Sequence, residues 1–160
     1  MLPQVKKQLG FTLIEVIVVI ALLAILATIV LVAINPAQNS ADARNTKRRA
    51  DVLEILNSVN QYYVARGAWP TNMPASGGAP VAIKSSATAT PGDICQDPAP
   101  ATTNIVPTYI AAFPFDPTAA GAQFTSCTNY NTGYTIALSA GNRVTVAAPS
   151  AEGTTISVTR

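Results

Sequence analysis

Residues Thr12–Ile34 read TLIEVIVVIALLAILATIVLVAI, a run in which Glu15 is the sole ionisable side chain. At about 1.5 Å rise per residue a helix of this length reaches roughly 35 Å, enough to cross a hydrocarbon core of about 30 Å. Its β-branched residues are mediocre helix formers in water. In lipid, however, every backbone amide must find its partner within the segment, and helix is what a single span can form. The run therefore predicts a membrane-spanning helix. Glu15 then needs a reason, because a carboxylate at mid-span costs on the order of 2.5–3.5 kcal/mol. Lying near one end of the run lowers that cost, and one reading leaves the carboxylate at the interface beside the positive helix terminus.

A cleaved secretory signal competes for the same stretch. Lys6 and Lys7 form a basic leader, and Ala41-Asp42-Ala43 resembles a small-residue cleavage site. The apolar run exceeds the roughly 7–15 residues of such signals, and that site lies beyond Pro36, so the span is preferred. Flanking charge points the other way: Arg44, Lys47, Arg48 and Arg49 follow the run while Lys6 and Lys7 precede it, which by the positive-inside rule alone makes the C-terminal part cytoplasmic. The Thr-, Ser-, Ala- and Pro-rich remainder, with its pair of cysteines, favours export instead.

Lys6–Glu15 read KKQLGFTLIE, followed by VIVVIALLAILATIV. This combination of a short basic leader, Gly10, Phe11, a carboxylate at Glu15 and a long apolar run resembles the prepilin leader and N-terminal helix of type IV pilins and of type II secretion pseudopilins. The resemblance implies that a prepilin peptidase cuts between Gly10 and Phe11 on the cytoplasmic side and that Phe11 is then N-methylated. It also implies that Glu15 meets the N-terminal ammonium of an adjacent subunit during assembly. The partners it implies are identical or related pilin subunits, the peptidase, and an inner-membrane assembly platform with its ATPase, with membrane lipid around the helix beforehand. The implied location is a single-pass cytoplasmic membrane protein with an extracytoplasmic head, passing into an extracellular filament or a periplasm-spanning pseudopilus. Many type IV pilins carry a Gly or Pro in the middle of this run, and this chain does not. Pro36 comes later, where its missing amide donor should kink or interrupt the helix.

Beyond Pro36, the residues Val52, Ile55, Leu56, Val59, Tyr62 and Tyr63 recur at steps of three and four, which marks one apolar helical face. The helix is expected to run to about Ala65 and stop at Gly67, with Trp69-Pro70 starting a new direction. YYVARGAWPTN resembles the end of the long helix in pseudopilins. From Thr71 to Pro107 the chain is dense in Pro, Gly, Ala, Ser and Thr, and a long loop with little regular structure is expected. Alternation in Tyr134–Leu138, Val144–Val146 and Thr154–Val158 reads as antiparallel strands, the first two joined by a turn at Gly141-Asn142. The expected fold is α+β, a long N-terminal α-helix packed on a small C-terminal antiparallel sheet, as in pilins. Its segments are a leader (1–10), a transmembrane or filament-core helix (11–35), the amphipathic second half (36–66), a loop region (67–112) and the sheet of the head (113–160).

Composition narrows the chemistry. The formal net charge is +2, too small to argue for nucleic acid, and without Met1 to Gly10 the ten basic residues become eight, equal to the eight acidic ones. Histidine is absent, so no Ser-His or Cys-His nucleophile can form. Two cysteines, Cys95 and Cys127, are too few for a zinc site; one disulfide is the preferred reading and a pair of buried free thiols the alternative. Arg44, Lys47, Arg48 and Arg49 are read as a solvated face neutralised by Asp42, Asp51 and Glu54, with Lys47 and Asp51 as an i,i+4 pair. No aromatic residue interleaves them, so nucleic acid is not supported as a partner. The Phe-Asp-Pro around Asp116 resembles a region that carries calcium in several pseudopilins, but Asp116 has no carboxylate cluster beside it and no metal or cofactor is expected. Asp93, Asp97, Asp116 and Glu152 show no spacing that pairs two of them for catalysis. A filament subunit is thus the leading function, with a secretion pseudopilin or a membrane-anchored binding domain that never polymerises as alternatives, and an enzyme last.

Overall fold

The computed structural model describes residues 10–88, 90–96 and 104–160. Lys6, Lys7 and Asp97, which figure in the sequence reading, lie outside the described residues. The chain divides into two units, 1–40 and 41–160.

In the first unit, helix α1 (Leu13–Ile34) begins at the N-cap Thr12 and buries none of its residues. Thr12 and Glu15 form a capping box: the Glu15 amide donates to Thr12 Oγ1 at 3.3 Å, and the Thr12 amide and hydroxyl donate to Glu15 Oε2 at 2.9 and 2.8 Å. Three donors at the helix start are satisfied this way, without water. The helix ends at Asn35, whose φ of 41° is left-handed, and restarts as α2 (Pro36–Arg66). Proline at the first helical position loses no hydrogen bond, because that amide would have no intrahelical acceptor. Side chains close the break: Asn39 Nδ2 donates to the Ile34 carbonyl at 2.8 Å and the Gln38 amide to Asn35 Oδ1 at 3.3 Å. The interruption expected at Pro36 is present, with Asn35 taking the conformation that asparagine tolerates better than most residues.

In the second unit, α2 lays Val52, Ile55, Leu56, Val59 and Tyr62 on the sheet, where they share one core with Ile83, Tyr134, Ile136, Val144, Val146 and Ile156. Each large aliphatic side chain buried there contributes roughly 1.5–3 kcal/mol over leaving it in water. Tyr63 departs from the expected buried face. It is half-buried and stacks on Trp69 at 4.0 Å, just past the point where Gly67, at φ +70°, ends the helix by donating its amide to the Tyr63 carbonyl.

The sheet is antiparallel throughout, with strands β1 (Val81–Lys84), β2 (Gln123–Ser126), β3 (Asn129–Leu138), β4 (Val144–Ala148) and β5 (Ile156–Thr159). The order is β1-β3-β4-β5, and β2 pairs with the start of β3. Buried and less buried residues alternate along β3 and β4, with Ile136 opposite Val146. The turn between them follows the sequence reading, with Asn142 at φ 60°. The expected loop over Thr71–Pro107 is corrected: β1 and the first part of the short helix α3 (Ile105–Thr108) lie inside it, and Ile83, Ile94 and Ile105 are buried. The last strand starts at Ile156 and not at Thr154. Cys95 and Cys127 are disulfide-bonded, with Cα atoms 5.3 Å apart, which fastens the segment after β1 to the turn between β2 and β3.

Candidate functional site

Two places gather the residues singled out by sequence. At the N-terminus, Gly10 has no neighbouring atom within 4 Å of the space a Cβ would occupy, and Phe11 is 88% exposed. Both stand open beside the start of α1. Glu15 sits one turn further on, and its carboxylate bonds Thr12 rather than Phe11. The sequence carried a signal for this that the reading above did not use: Thr12-Leu-Ile-Glu15 is the T-x-x-E pattern of a capping box.

The second place is in the head, and it corrects the reading of the basic residues as a solvated face. Arg48 has no solvent-accessible side-chain surface, and neither has Asp116. Arg48 Nε donates to Asp116 Oδ2 at 2.7 Å, and its Nη2 donates to Asp116 Oδ1 at 3.2 Å and to Thr118 Oγ1 at 2.6 Å. Its Nη1 reaches Asn45 Oδ1 at 2.9 Å and Glu152 Oε1 at 3.1 Å. Arg44 clasps Glu152 with two bonds of 2.6 Å, and Asn45 exchanges bonds with the Glu152 backbone. One turn on, Lys47 pairs with Asp51 as expected, and Asp51 also accepts from the buried Tyr134 hydroxyl at 2.6 Å. Three cations, Arg44, Lys47 and Arg48, thus meet three carboxylates, Asp51, Asp116 and Glu152. Of this group Arg49, Asp93 and Glu54 are not part.

The position of Asp116 depends on Gly133 of β3. At φ +74° a side chain is strained, and a Cβ there would stand 2.7 Å from Ala119 Cβ and 3.0 Å from Asp116 Cβ. Glycine lets the turn after Asp116 lie against the strand, with the Asp116 amide donating to the Thr132 carbonyl at 2.8 Å. Thr118 and Ala119 amides then donate to Asp116 Oδ1 at 2.8 and 3.0 Å.

The electrostatics follow from these contacts. Burial pushes the Asp116 carboxyl up, but Arg48 and the two amides outweigh it and hold the group below its ordinary value. Arg44, helped by Arg48 and opposed by partial burial, draws the Glu152 carboxyl down to about 2. Burial first, and then the Asp51 carboxylate, keep the Tyr134 hydroxyl protonated far beyond its usual range, so it remains a donor. A cluster this closely paired leaves no free base or nucleophile; it joins α2, the Asp116 turn and the β4–β5 connection. Asp116, the carboxylate a cation could have used, is already bonded to Arg48. Among the described residues no group of three His, Cys, Asp or Glu side chains is placed to hold a metal.

Residues 5–31 match the family described as the prokaryotic N-terminal methylation motif. No curated protein and no solved structure matches the chain.

Proposed function

We propose that this chain, whose residues 5–31 match the prokaryotic N-terminal methylation motif, is a member of the type IV pilin and pseudopilin superfamily and the structural subunit of a type IV pilus-like filament. It enters the cytoplasmic membrane through α1, is cut by a prepilin peptidase between Gly10 and Phe11, is N-methylated at Phe11, and polymerises through its N-terminal helix. The observation that carries this reading is α1 itself, 22 residues with none buried and with Glu15 as its sole charge. A helix that is apolar all round is stable only inside lipid or among other such helices. Cleavage before Phe11 would put an ammonium at the positive end of the α1 dipole, which is unfavourable unless a carboxylate answers it. Glu15 is the one carboxylate of α1, and in assembly it would turn from its own Thr12 to the Phe11 ammonium of the next subunit.

Two measurements test this. Mass spectrometry of protein from cells with an active peptidase should find Phe11 as the N-terminus; an intact Met1, or a terminus near Arg44, contradicts the processing step. Glu15→Leu and Glu15→Gln should both insert and be cleaved, because each removes a charge that is costly in lipid. Glutamine still completes a capping box, so a role confined to capping predicts normal filaments from Glu15→Gln. A charge-pairing role predicts that both variants accumulate in the membrane and are missing from sheared filaments. Wild-type filament yield from Glu15→Gln would sink the pairing.

A further inference from the structure

We infer that, given processing between Gly10 and Phe11 as proposed above, Thr12 is a positioning residue for that step: by capping α1 where it does, it keeps the scissile bond outside the helix and open to the peptidase. Thr12 has extended backbone angles, and Gly10 and Phe11 before it are likewise outside the helix. Both arms of the capping box meet at Thr12. Its hydroxyl oxygen accepts from the Glu15 amide, while its own amide and hydroxyl donate to the Glu15 carboxylate. Phe11 and Thr12 therefore separate the bond that is cut from the first helical residue, Leu13.

The alternative that the cap prevents can be worked out from the neighbouring residues. Gly10 is a competing start, because glycine serves about as well as threonine at the N-cap position, and Phe11 is an ordinary helix former. A helix starting from Gly10 would draw the Gly10 carbonyl, the one the peptidase must attack, into a hydrogen bond with the Ile14 amide four residues on. It would also wind Phe11 and Thr12 into the first turn. Peptidases act on backbone free of such bonds, and where opening is fast the rate follows the open fraction. The box tips the choice towards Thr12, since a start at Gly10 puts Leu13 at the third helical position, with no side-chain oxygen to return to the cap.

Losing a threonine cap shifts such an equilibrium by roughly two- to thirtyfold. Glu15→Gln keeps both arms of the box, so this role of Thr12 leaves its cleavage unchanged. The two residues of the box thereby divide the work: Thr12 serves processing, and the Glu15 charge serves assembly.

Full chain in detergent, incubated with membranes that contain an active prepilin peptidase, tests this, with loss of residues 1–10 followed by mass spectrometry. The parent is compared with Thr12→Val, Thr12→Ser and Thr12→Asn. Valine matches threonine in shape but has no acceptor, whereas serine and asparagine both cap. Thr12→Val should show an unchanged kcat and a KM raised at least about twofold, as for a substrate whose competent form is a smaller fraction of the whole. Thr12→Ser and Thr12→Asn should restore the parent's KM, and the backbone NMR shifts of Phe11 should turn helical in Thr12→Val alone. Equal KM values for Thr12→Val and a cleaved parent overturn the inference and leave the processing reading intact. Thr12→Asn as poor as Thr12→Val also overturns it, and assigns the effect to direct reading of the threonine side chain by the peptidase. A parent that is not cut after Gly10 overturns the processing reading, and the inference with it.

Discussion

Replacing Arg48 with methionine would remove a guanidinium that donates five hydrogen bonds, two to Asp116 and one each to Thr118, Asn45 and Glu152. Methionine fills most of the stem volume, so the cost comes chiefly from Asp116, whose side chain has no solvent-accessible surface and would keep its charge without a cation. Removing one partner of a buried pair costs about 3–5 kcal/mol. The Thr118 and Ala119 amides still hold Asp116 Oδ1, which places the expectation near the lower end, about 3 kcal/mol. That is a large share of the roughly 5–15 kcal/mol a domain has in total. Adding Asp116→Asn keeps an oxygen for both amides while deleting the stranded charge, so the double variant should be more stable than Arg48→Met alone. The assay is urea unfolding of the full chain in detergent, followed by fluorescence of Trp69, the chain's one tryptophan, which stacks on Tyr63 within the head. An unchanged slope with a lowered midpoint would assign the effect to stability. The reasoning fails if Arg48→Met stays within about 1 kcal/mol of the parent, or if the double variant shows only the sum of the two single losses.

The ion network also makes stability depend on pH. Arg44 holds the Glu152 carboxyl down to about 2 in the folded chain against about 4.3 when unfolded, so its contribution is complete above about pH 4.3 and is lost as pH falls toward about 2, and the lowered Asp116 carboxyl acts in the same direction. Urea midpoints should fall across that window, less steeply in Glu152→Gln; a parallel decline in both proteins contradicts the assignment. Opening the disulfide with Cys95→Ala and Cys127→Ala should cost roughly 3–4 kcal/mol for a bridge spanning 32 residues, and an unchanged urea midpoint would refute this. Gly133→Ala should cost at least the roughly 1–3 kcal/mol of a strained backbone, because the new methyl meets Ala119 as well; a midpoint equal to the parent's would show that the Asp116 turn does not need this glycine.

What could be read from sequence was whatever repeats over several turns or strands. The stripe Val52-Ile55-Leu56-Val59-Tyr62 and the alternation of β3 and β4 are long enough to outweigh local accidents. β1 and β2 were not legible, since each has four residues and β1 is embedded in a segment whose Pro, Gly and Ser content argues for loop. VAIK holds one fully buried residue, Ile83, and its strand character comes from pairing with β3, a contact about fifty residues away in the chain. Arg48 is a different case. Continuing the stripe upstream by steps of four and three lands on Arg48 and Asn45, so the phase that identified the core also pointed at the buried arginine. What hid it was the expectation that four cations in six residues face water, together with partners, Asp116 and Glu152, that no local window contains.

The placement of this charge cluster has a structural logic of its own. A stripe of Val, Ile and Leu is forgiving, and sliding α2 by one turn along the sheet would still present aliphatic side chains to aliphatic side chains. Charges do not forgive the same slip. Moving α2 one turn in one direction sets Val52 in the place of Arg48 and strands Asp116 beside an apolar neighbour. Moving it the other way carries Arg48 to the place of Val52, in a core with no carboxylate to meet it. Either slip buries an unpaired charge at a cost of several kcal/mol, while the correct register closes Arg44 and Arg48 on Asp116 and Glu152. Replacing the whole network by apolar residues could leave stability little changed, since desolvation consumes much of what the pairs return. The energy that distinguishes one register from its neighbours would be gone, and with it the fixed position of the Asp116 turn and the β4–β5 connection against α2.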